Sequence, residues 1–197
     1  MPRVPREFYE APAPLVARRV LGKVLVRVVG DARMAGIIVE TEAYRGTGDP
    51  ASHAFRGRTP RSSVMFGEPG HAYVYFSYGS HYCLNLTAEP SGSPAAVLVR
   101  AIEPVEGVSI MRRNRRVEEM KNLASGPGKL TEALAIDGDL NGEDLVTSAR
   151  LFLEDGPPPS AVLSSPRVGV SSGAGRRWRF FVARSTFVSG RRTAQNP

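Results

Sequence analysis

The feature that most constrains the fold is a pair of segments rich in valine and isoleucine, residues 23–29 and 34–44. They are separated by Gly30 and Asp31, two residue types that favour the tight turns joining neighbouring antiparallel strands. The spacing therefore predicts a pair of strands that begins a β-sheet.

Further elements are predicted from apolar periodicity and from the placement of glycine and proline. Strands are expected over residues 72–77, 81–87, 95–102, 151–154, 167–170 and 178–183. Helices are expected over residues 15–21, 104–116 and 130–136, with another turn beginning at residues 143–145. Because strands occupy the centre of the chain and short helices flank them, the pattern indicates an α+β fold.

The remaining segments are predicted to be irregular. Residues 45–70 are rich in Gly, Pro, Ser, Thr and Arg without periodicity, which indicates a long surface loop of the kind that often carries function. Four early prolines indicate an extended N-terminal arm over residues 1–14, and residues 190–197 are expected to be frayed. Because its 197 residues contain no linker and no internal repeat, the chain is expected to form a single domain.

The charge balance indicates a polyanionic partner. The chain has 26 basic and 19 acidic residues, giving a formal net charge of +7, and almost all of the basic residues are arginines. Arginine suits phosphate contacts, but an arginine excess also results from a GC-rich genome, so composition leaves both explanations open.

Cysteine and histidine usage argues against a metal centre. The single cysteine, Cys83, excludes a disulfide within the chain and a cysteine-rich metal site, while His53, His71 and His81 lack ligand spacing. No apolar stretch approaches the roughly 18 residues of a membrane span, and the N-terminus lacks a signal-peptide pattern. We therefore expect a soluble intracellular protein, cytoplasmic in a bacterium or nuclear in a eukaryote.

A strand that ends in two carboxylates is the first candidate for catalysis. Alternation along the segment predicts one shared face for Ile38, Glu40, Glu42 and Tyr44. An ionised glutamate beside an aromatic wall can take a proton from water and stabilise positive charge at the anomeric carbon of a sugar. The alternative is a strand end at which acidic side chains simply meet solvent.

The second candidate is an aromatic cluster around a predicted hairpin tip. Four of the six tyrosines fall within residues 73–82, and Tyr78 stands next to Gly79, where the chain can turn. A ring at such a tip can enter a base stack, and other aromatics can stack on an extruded base. The alternative is ordinary packing of aromatics across a sheet.

Three polar features are candidates for the same site. His53 lies in the arginine-rich loop and either contacts a base or is structural. Arg100 ends an apolar run, where an arginine needs an anion such as Glu42, another acid or a DNA phosphate. The loop at residues 126–129 opens a helix but lacks the spacing of a nucleotide-binding loop, so a structural role and a phosphate contact both stay open.

Taken together, these motifs resemble the alkyladenine DNA glycosylase family, whose members are also called 3-methyladenine or methylpurine DNA glycosylases. The matching segments cover most of the chain: residues 39–44, the His53 loop with residues 58–61 and 65–66, the hairpin through residue 85, residues 98–104 and residues 125–136. The resemblance implies a compact domain around a curved antiparallel sheet with a protruding hairpin. It also implies a monomer without metal or cofactor that acts on double-stranded DNA containing damaged purines.

The resemblance implies catalytic roles for three residues. Glu42 would be the general base for the attacking water. Arg100, together with the backbone carbonyl of Val182, would hold that water and the adjacent phosphate.

The resemblance also implies a base pocket and a wedge. Tyr44, His53, Tyr75 and Asn85 would line the pocket for the flipped base, and Asn85 would disfavour normal guanine through its exocyclic amine. Tyr78 would be the wedge that enters the minor groove. Beside it, Ser80 and His81 stand where the vertebrate form has methionine and tyrosine, so the fit of the wedge is expected to differ.

Three other functions are compatible with parts of the sequence. Removal of Met1 would expose Pro2 as an amine able to form a Schiff base and cleave the strand, although the zinc-binding cysteines of the proline-using glycosylases are absent. A non-catalytic nucleic-acid binder would explain the charge and the aromatics but leave Glu42 incidental. A hydrolase of free nucleosides would leave the basic surface and the wedge without a role.

Overall fold

Eight strands form one antiparallel sheet in the described part of the chain, residues 1–77 and 79–190 of a computed structural model. The strands are β1 (Val24–Val29), β2 (Ala32–Arg45), β3 (Ala72–Ser77), β4 (His81–Ala88), β5 (Ala95–Glu106), β6 (Leu151–Glu154), β7 (Val162–Ser165) and β8 (Arg179–Val182). Their order is β3-β4-β5-β2-β1-β6, and β8 pairs with both β2 and β7. The predicted α+β class and curled antiparallel sheet are confirmed.

Within the same described residues, four short α-helices flank the sheet: α1 (Ala13–Arg19), α2 (Val108–Arg115), α3 (Met120–Leu123) and α4 (Pro127–Ala133). Helix α1 lies against β2 and β5, and α4 lies against β4 and β5. The main core fills the space between these helices and one face of the sheet, and it includes Val16, Leu130, Leu84 and Val97. None of the helices in the described ranges is long and apolar enough to span a bilayer.

The predicted first strand pair forms the centre of the sheet. Strands β1 and β2 pair in antiparallel register from Val24 opposite Ile37 to Val29 opposite Ala32. Gly30 occupies the turn with a φ of +55°, a conformation that glycine adopts readily. Strand β2 extends over 14 residues and pairs with β1, β5 and β8. The polar C-terminal half of β2 therefore lies in the middle of the sheet.

Two predicted elements are wrong in part. The segment 104–116 is not helical at its start, because β5 continues to Glu106 by pairing with the long β2, and α2 begins only after Gly107, whose φ is +68°. The predicted strand over 167–170 is an irregular loop that follows β7. There the Arg167 side chain turns inward and forms a buried ion pair with Asp49.

Smaller differences concern element ends. Helix α4 begins at Pro127, three residues before the predicted start, because proline suits the first helical turn. Helix α3 was not predicted. The N-terminal arm contains a 3₁₀ turn at Arg6–Phe8, and its first residues lie along β6, where Val4 donates to the Leu153 carbonyl at 3.0 Å. Of the predicted frayed tail, residues 191–197 lie outside the described residues.

A double irregularity between β2 and β5 redirects their side chains. The register shifts between Ile38 and Glu40 and again between Glu40 and Thr41. Ile38 consequently lies in the core, whereas Thr41 donates to the Ala17 carbonyl of α1 and leaves Glu40 on the opposite face. The prediction that Ile38 shares a face with the two glutamates is therefore wrong, because a β-bulge inverts the alternation.

Candidate active site

The sheet face opposite the core forms the floor of a cavity of about 460 Å³. On each contributing strand, alternate residues face the core and the cavity, in keeping with strand geometry. On β5, for example, Leu98 and Arg100 line the cavity while Val97 and Val99 lie in the core. Residues 50–53 and 168–172 complete the walls.

Glu42 is fully buried against three residues that line this cavity, and these three residues hold its carboxylate. Oε1 accepts a hydrogen bond from the backbone N–H of Val168 at 2.7 Å. Oε2 accepts from the Tyr44 hydroxyl at 2.8 Å and from the Arg100 guanidinium at 3.3 Å. Burial, together with the charge of Glu42, raises the pKa of Tyr44, so this hydroxyl stays protonated and donates.

A second buried carboxylate, Glu40, shares the same arginine. The Nε atoms of Arg100 and Arg179 donate to Glu40 Oε1 at 2.9 and 2.7 Å, and the Ser189 backbone donates to Oε2 at 2.6 Å. Burial alone would lower the pKa of Arg100, but Glu42 and Glu40 outweigh it and raise that pKa. Arg100 therefore contacts two acidic side chains, Glu42 and Glu40, which are two of the three kinds of anion predicted as its partner.

One wall of the cavity is aromatic. His53 Nδ1 lies 2.8 Å from the Tyr73 hydroxyl, and the rings of His53 and Tyr75 meet edge to face with centroids 4.6 Å apart. The Arg61 guanidinium lies 4.8 Å from the centre of the Tyr75 ring. Burial and then the Arg61 charge lower the pKa of His53, so the imidazole is neutral at pH 7. The wall thus offers flat rings and a neutral imidazole.

The floor carries a buried amide. Asn85 lies opposite Leu98 on β5, and its Nδ2 donates to the Tyr73 carbonyl at 3.1 Å. Beside it, burial raises the pKa of the Cys83 thiol, which keeps that group neutral. Both side chains line the cavity, so the floor can distinguish ligands by the donors and acceptors they present.

The structure thus brings together Glu42, Tyr44, His53, Tyr75, Asn85 and Arg100. The segment 168–172 was not predicted as part of the site, because a strand was expected over residues 167–170. An arginine between Pro166 and the apolar residues Val168 and Val170 was the available signal for an inward-turning loop.

Two predicted residues do not join this group in the described structure. Val182 lies on β8, where the residue opposite Glu42 is Arg179, and the Val182 carbonyl faces the N–H of Ser185 at 3.4 Å. Val182 is therefore displaced along β8 from the residue that lies opposite Glu42, and the role of its carbonyl stays a prediction. Tyr78, the predicted wedge, lies outside the described residues.

His81 and the possible metal site are the remaining candidates from the sequence. His81 packs against Gly128, where an added Cβ would lie 2.6 Å from the imidazole ring. Among residues 1–77 and 79–190, no group of three or more His, Cys, Asp or Glu side chains is placed to hold a metal ion.

Comparison with known proteins shows the family of the chain. The family model for methylpurine-DNA glycosylase matches residues 7–186. A protein of Methanocella arvoryzae is 50% identical over 195 residues, which cover 97% of this chain and 98% of that protein. One of Chlorobium phaeobacteroides (strain DSM 266) is 47% identical, covering 96% and 97%, and one of Carboxydothermus hydrogenoformans is 44% identical, covering 94% and 98%. All three carry the name "Putative 3-methyladenine DNA glycosylase". The chain belongs to the methylpurine-DNA glycosylase family.

Proposed function

We propose that the protein is a monofunctional DNA glycosylase that extrudes a damaged purine from duplex DNA and hydrolyses its N-glycosidic bond. Family membership supports a DNA glycosylase that acts in the repair of alkylated bases. The observation that carries the proposal is a fully buried, oriented carboxylate, Glu42, which is hydrogen-bonded to residues that line a cavity rich in aromatic rings. Such a combination suits hydrolysis at a sugar carbon next to a stacked base.

Glu42 is positioned to act as a general base. Each carboxylate oxygen has two lone pairs, and among the described residues Oε1 receives one hydrogen bond, from Val168. The free lone pair can accept a proton from an attacking water. The negative charge also stabilises the oxocarbenium-like transition state of glycosidic cleavage. The leaving purine takes the bonding electron pair, and the water oxygen bonds to the anomeric carbon.

The cavity suits an extruded base. Its volume of about 460 Å³ falls within the usual range of sites for small ligands. Extrusion costs a few kcal/mol, and stacking on an aromatic returns about 1–3 kcal/mol per base, so Tyr44 and Tyr75 can offset most of that cost. Damaged bases are easier to extrude because they pair and stack less well.

We also propose roles for the remaining predicted residues. His53 and Asn85 would contact the edge of the extruded purine, and Asn85 would disfavour the exocyclic amine of guanine. Arg100 would act through Glu42 and Glu40, which occupy its guanidinium in the structure. Tyr78 would fill the gap that the base leaves in the duplex.

The lyase alternative is weakened by the position of the N-terminal arm. The Pro2 carbonyl accepts a hydrogen bond from Asp155 at 2.9 Å, next to the end of β6. Strand β6 is two strands away from β2, which carries Glu42.

The proposal is tested with duplex oligonucleotides that each carry one 3-methyladenine analogue, 7-methylguanine, hypoxanthine or ethenoadenine. We expect strand cleavage at the lesion only after hot alkali, which reveals abasic sites. Cleavage without alkali, together with a covalent complex trapped by borohydride, would favour the Pro2 lyase. Binding to every duplex without base release would favour a non-catalytic binder.

A further inference from the structure

A buried ion pair between Asp49 and Arg167 lies outside the groups assigned to the reaction so far. Arg167 donates to both carboxylate oxygens of Asp49, at 2.6 and 2.7 Å, and both side chains are 0% exposed. This two-pronged geometry fixes the relative orientation of the two side chains as well as their separation. Burial alone would raise the pKa of Asp49, but Arg167 outweighs it and lowers that pKa, so the pair is charged.

The pair joins two segments that are 118 residues apart in sequence. Asp49 belongs to the loop that follows β2, and it also accepts from the backbone N–H groups of Arg45 and Ala51 at 3.3 Å each. Arg167 begins the segment that covers the cavity. Gly173 permits close packing here, since an added Cβ would lie 3.3 Å from atoms of both partners. Two cavity walls are therefore tied at one point.

Arg167 also contacts the two residues that follow Glu42 on β2. Its Nη1 atom donates a hydrogen bond to the Ala43 carbonyl at 3.0 Å, and its guanidinium carbon lies 4.6 Å from the centre of the Tyr44 ring. The next residue, Val168, donates its N–H to Glu42 Oε1 at 2.7 Å. The ion pair thus fixes two of the three donors that orient the Glu42 carboxylate.

A buried ion pair contributes little net stability compared with an apolar replacement, because desolvation offsets much of the Coulomb attraction. We therefore expect the Asp49–Arg167 pair to matter for the positions of the groups that it holds more than for the free energy of unfolding. We propose that Asp49 and Arg167 are positioning residues for base excision: the pair holds Val168 and Tyr44 where they orient the Glu42 carboxylate. This inference rests on the proposed function, because it assigns the orienting role to a glycosylase reaction.

The test separates the chemical step from DNA binding. Asp49→Asn keeps the shape of the side chain but removes its charge, and Arg167→Lys keeps the charge but loses the fork that reaches two oxygens. For each variant, the single-turnover rate of base release is measured on the best substrate of the wild-type protein. The dissociation constant is measured on a duplex carrying a stable abasic analogue.

The control variant is Leu153→Ala, a buried truncation on β6 that removes no contact with the cavity. Urea unfolding of all three variants shows how far each is destabilised, and rates are compared at a temperature at which each is folded. Leu153→Ala is expected to keep the wild-type rate while it is folded. It therefore reports what loss of stability alone does.

We expect Asp49→Asn and Arg167→Lys to lose about 10- to 100-fold in single-turnover rate, the range expected for small misplacement of a reacting group, with the dissociation constant changed less than about threefold. If Asp49→Asn fails to fold, the same split in Arg167→Lys supports the inference. A wild-type rate in either folded variant would overturn it, as would a loss of rate that is matched by an equal loss of affinity. A wild-type protein that releases no base would instead contradict the proposed function.

Discussion

Replacing Arg100 with methionine tests whether the buried charge network is as interdependent as its geometry indicates. The guanidinium donates to Glu40 at 2.9 Å, to Glu42 at 3.3 Å and to the Ser189 hydroxyl at 3.1 Å. After the substitution Glu40 keeps its bond to Arg179 at 2.7 Å. Glu42 keeps two hydrogen bonds but loses its ion pair, because neither remaining donor is a cation.

The expected magnitude follows from this uncompensated charge. Removing one partner of a buried pair costs about 3–5 kcal/mol, so Arg100→Met should lower the free energy of unfolding by about that amount at pH 7. Adding Glu42→Gln removes the orphaned charge, and the double variant should recover about 1–3 kcal/mol of the loss. An uncompensated buried carboxylate is neutralised at acid pH, so the difference between Arg100→Met and wild type should be smaller near pH 4 than near pH 8.

The assay is urea unfolding of wild type, both single variants and the double variant, followed by circular dichroism at both pH values. Equal slopes against urea are required before midpoints are compared. A loss below about 1 kcal/mol with no dependence on pH would refute the reasoning. So would a double variant whose loss equals the sum of the two single losses, since the two side chains would then be uncoupled.

Four further outcomes are expected. Tyr44→Phe removes a donor to Glu42 and should slow single-turnover base release about tenfold, equivalent to about 1.4 kcal/mol, without weakening DNA binding. Burial and then Arg61 lower the pKa of His53 from 6.5, so the unfolded state binds a proton at higher pH than the folded state does. The free energy of unfolding therefore falls as the pH drops through 6.5. In urea unfolding, His53→Gln should lose less of this free energy than wild type between about pH 7.5 and 5.5. Asn85→Ser should raise the release of normal guanine relative to damaged purines, measured by alkali treatment of undamaged duplexes. Affinity for duplex DNA should fall with salt at a log–log slope of about 0.9 for each neutralised phosphate, and a salt-insensitive affinity would contradict the phosphate contacts.

The part of the site that lies on regular strands was predictable from sequence. Tyr44, Tyr75 and Asn85 lie on strands that apolar content and turn residues predicted, and period-two alternation correctly put Tyr73 and Tyr75 on one face. Alternation failed only at the β2–β5 irregularity, where Ile38 and Glu40 face opposite sides. The position of a bulge depends on how the partner strand pairs, so it cannot be predicted from the sequence of β2 alone.

The contacts that orient Glu42 were less accessible to sequence reasoning. The Val168 N–H and the Asp49–Arg167 pair depend on segments 118 to 126 residues apart that meet only in the folded chain. Strand β5 ran past its predicted end for a related reason, since the long β2 supplied partners as far as Glu106.

The central claim is that Glu42 activates the water that displaces the base. The most direct test compares wild type with Glu42→Gln in single-turnover base release from a duplex carrying one hypoxanthine or one ethenoadenine, with binding to an abasic-analogue duplex measured in parallel. We expect Glu42→Gln to bind that duplex with affinity close to wild type and to yield no abasic sites above background. A Glu42→Gln protein that releases the base at the wild-type rate would contradict the account.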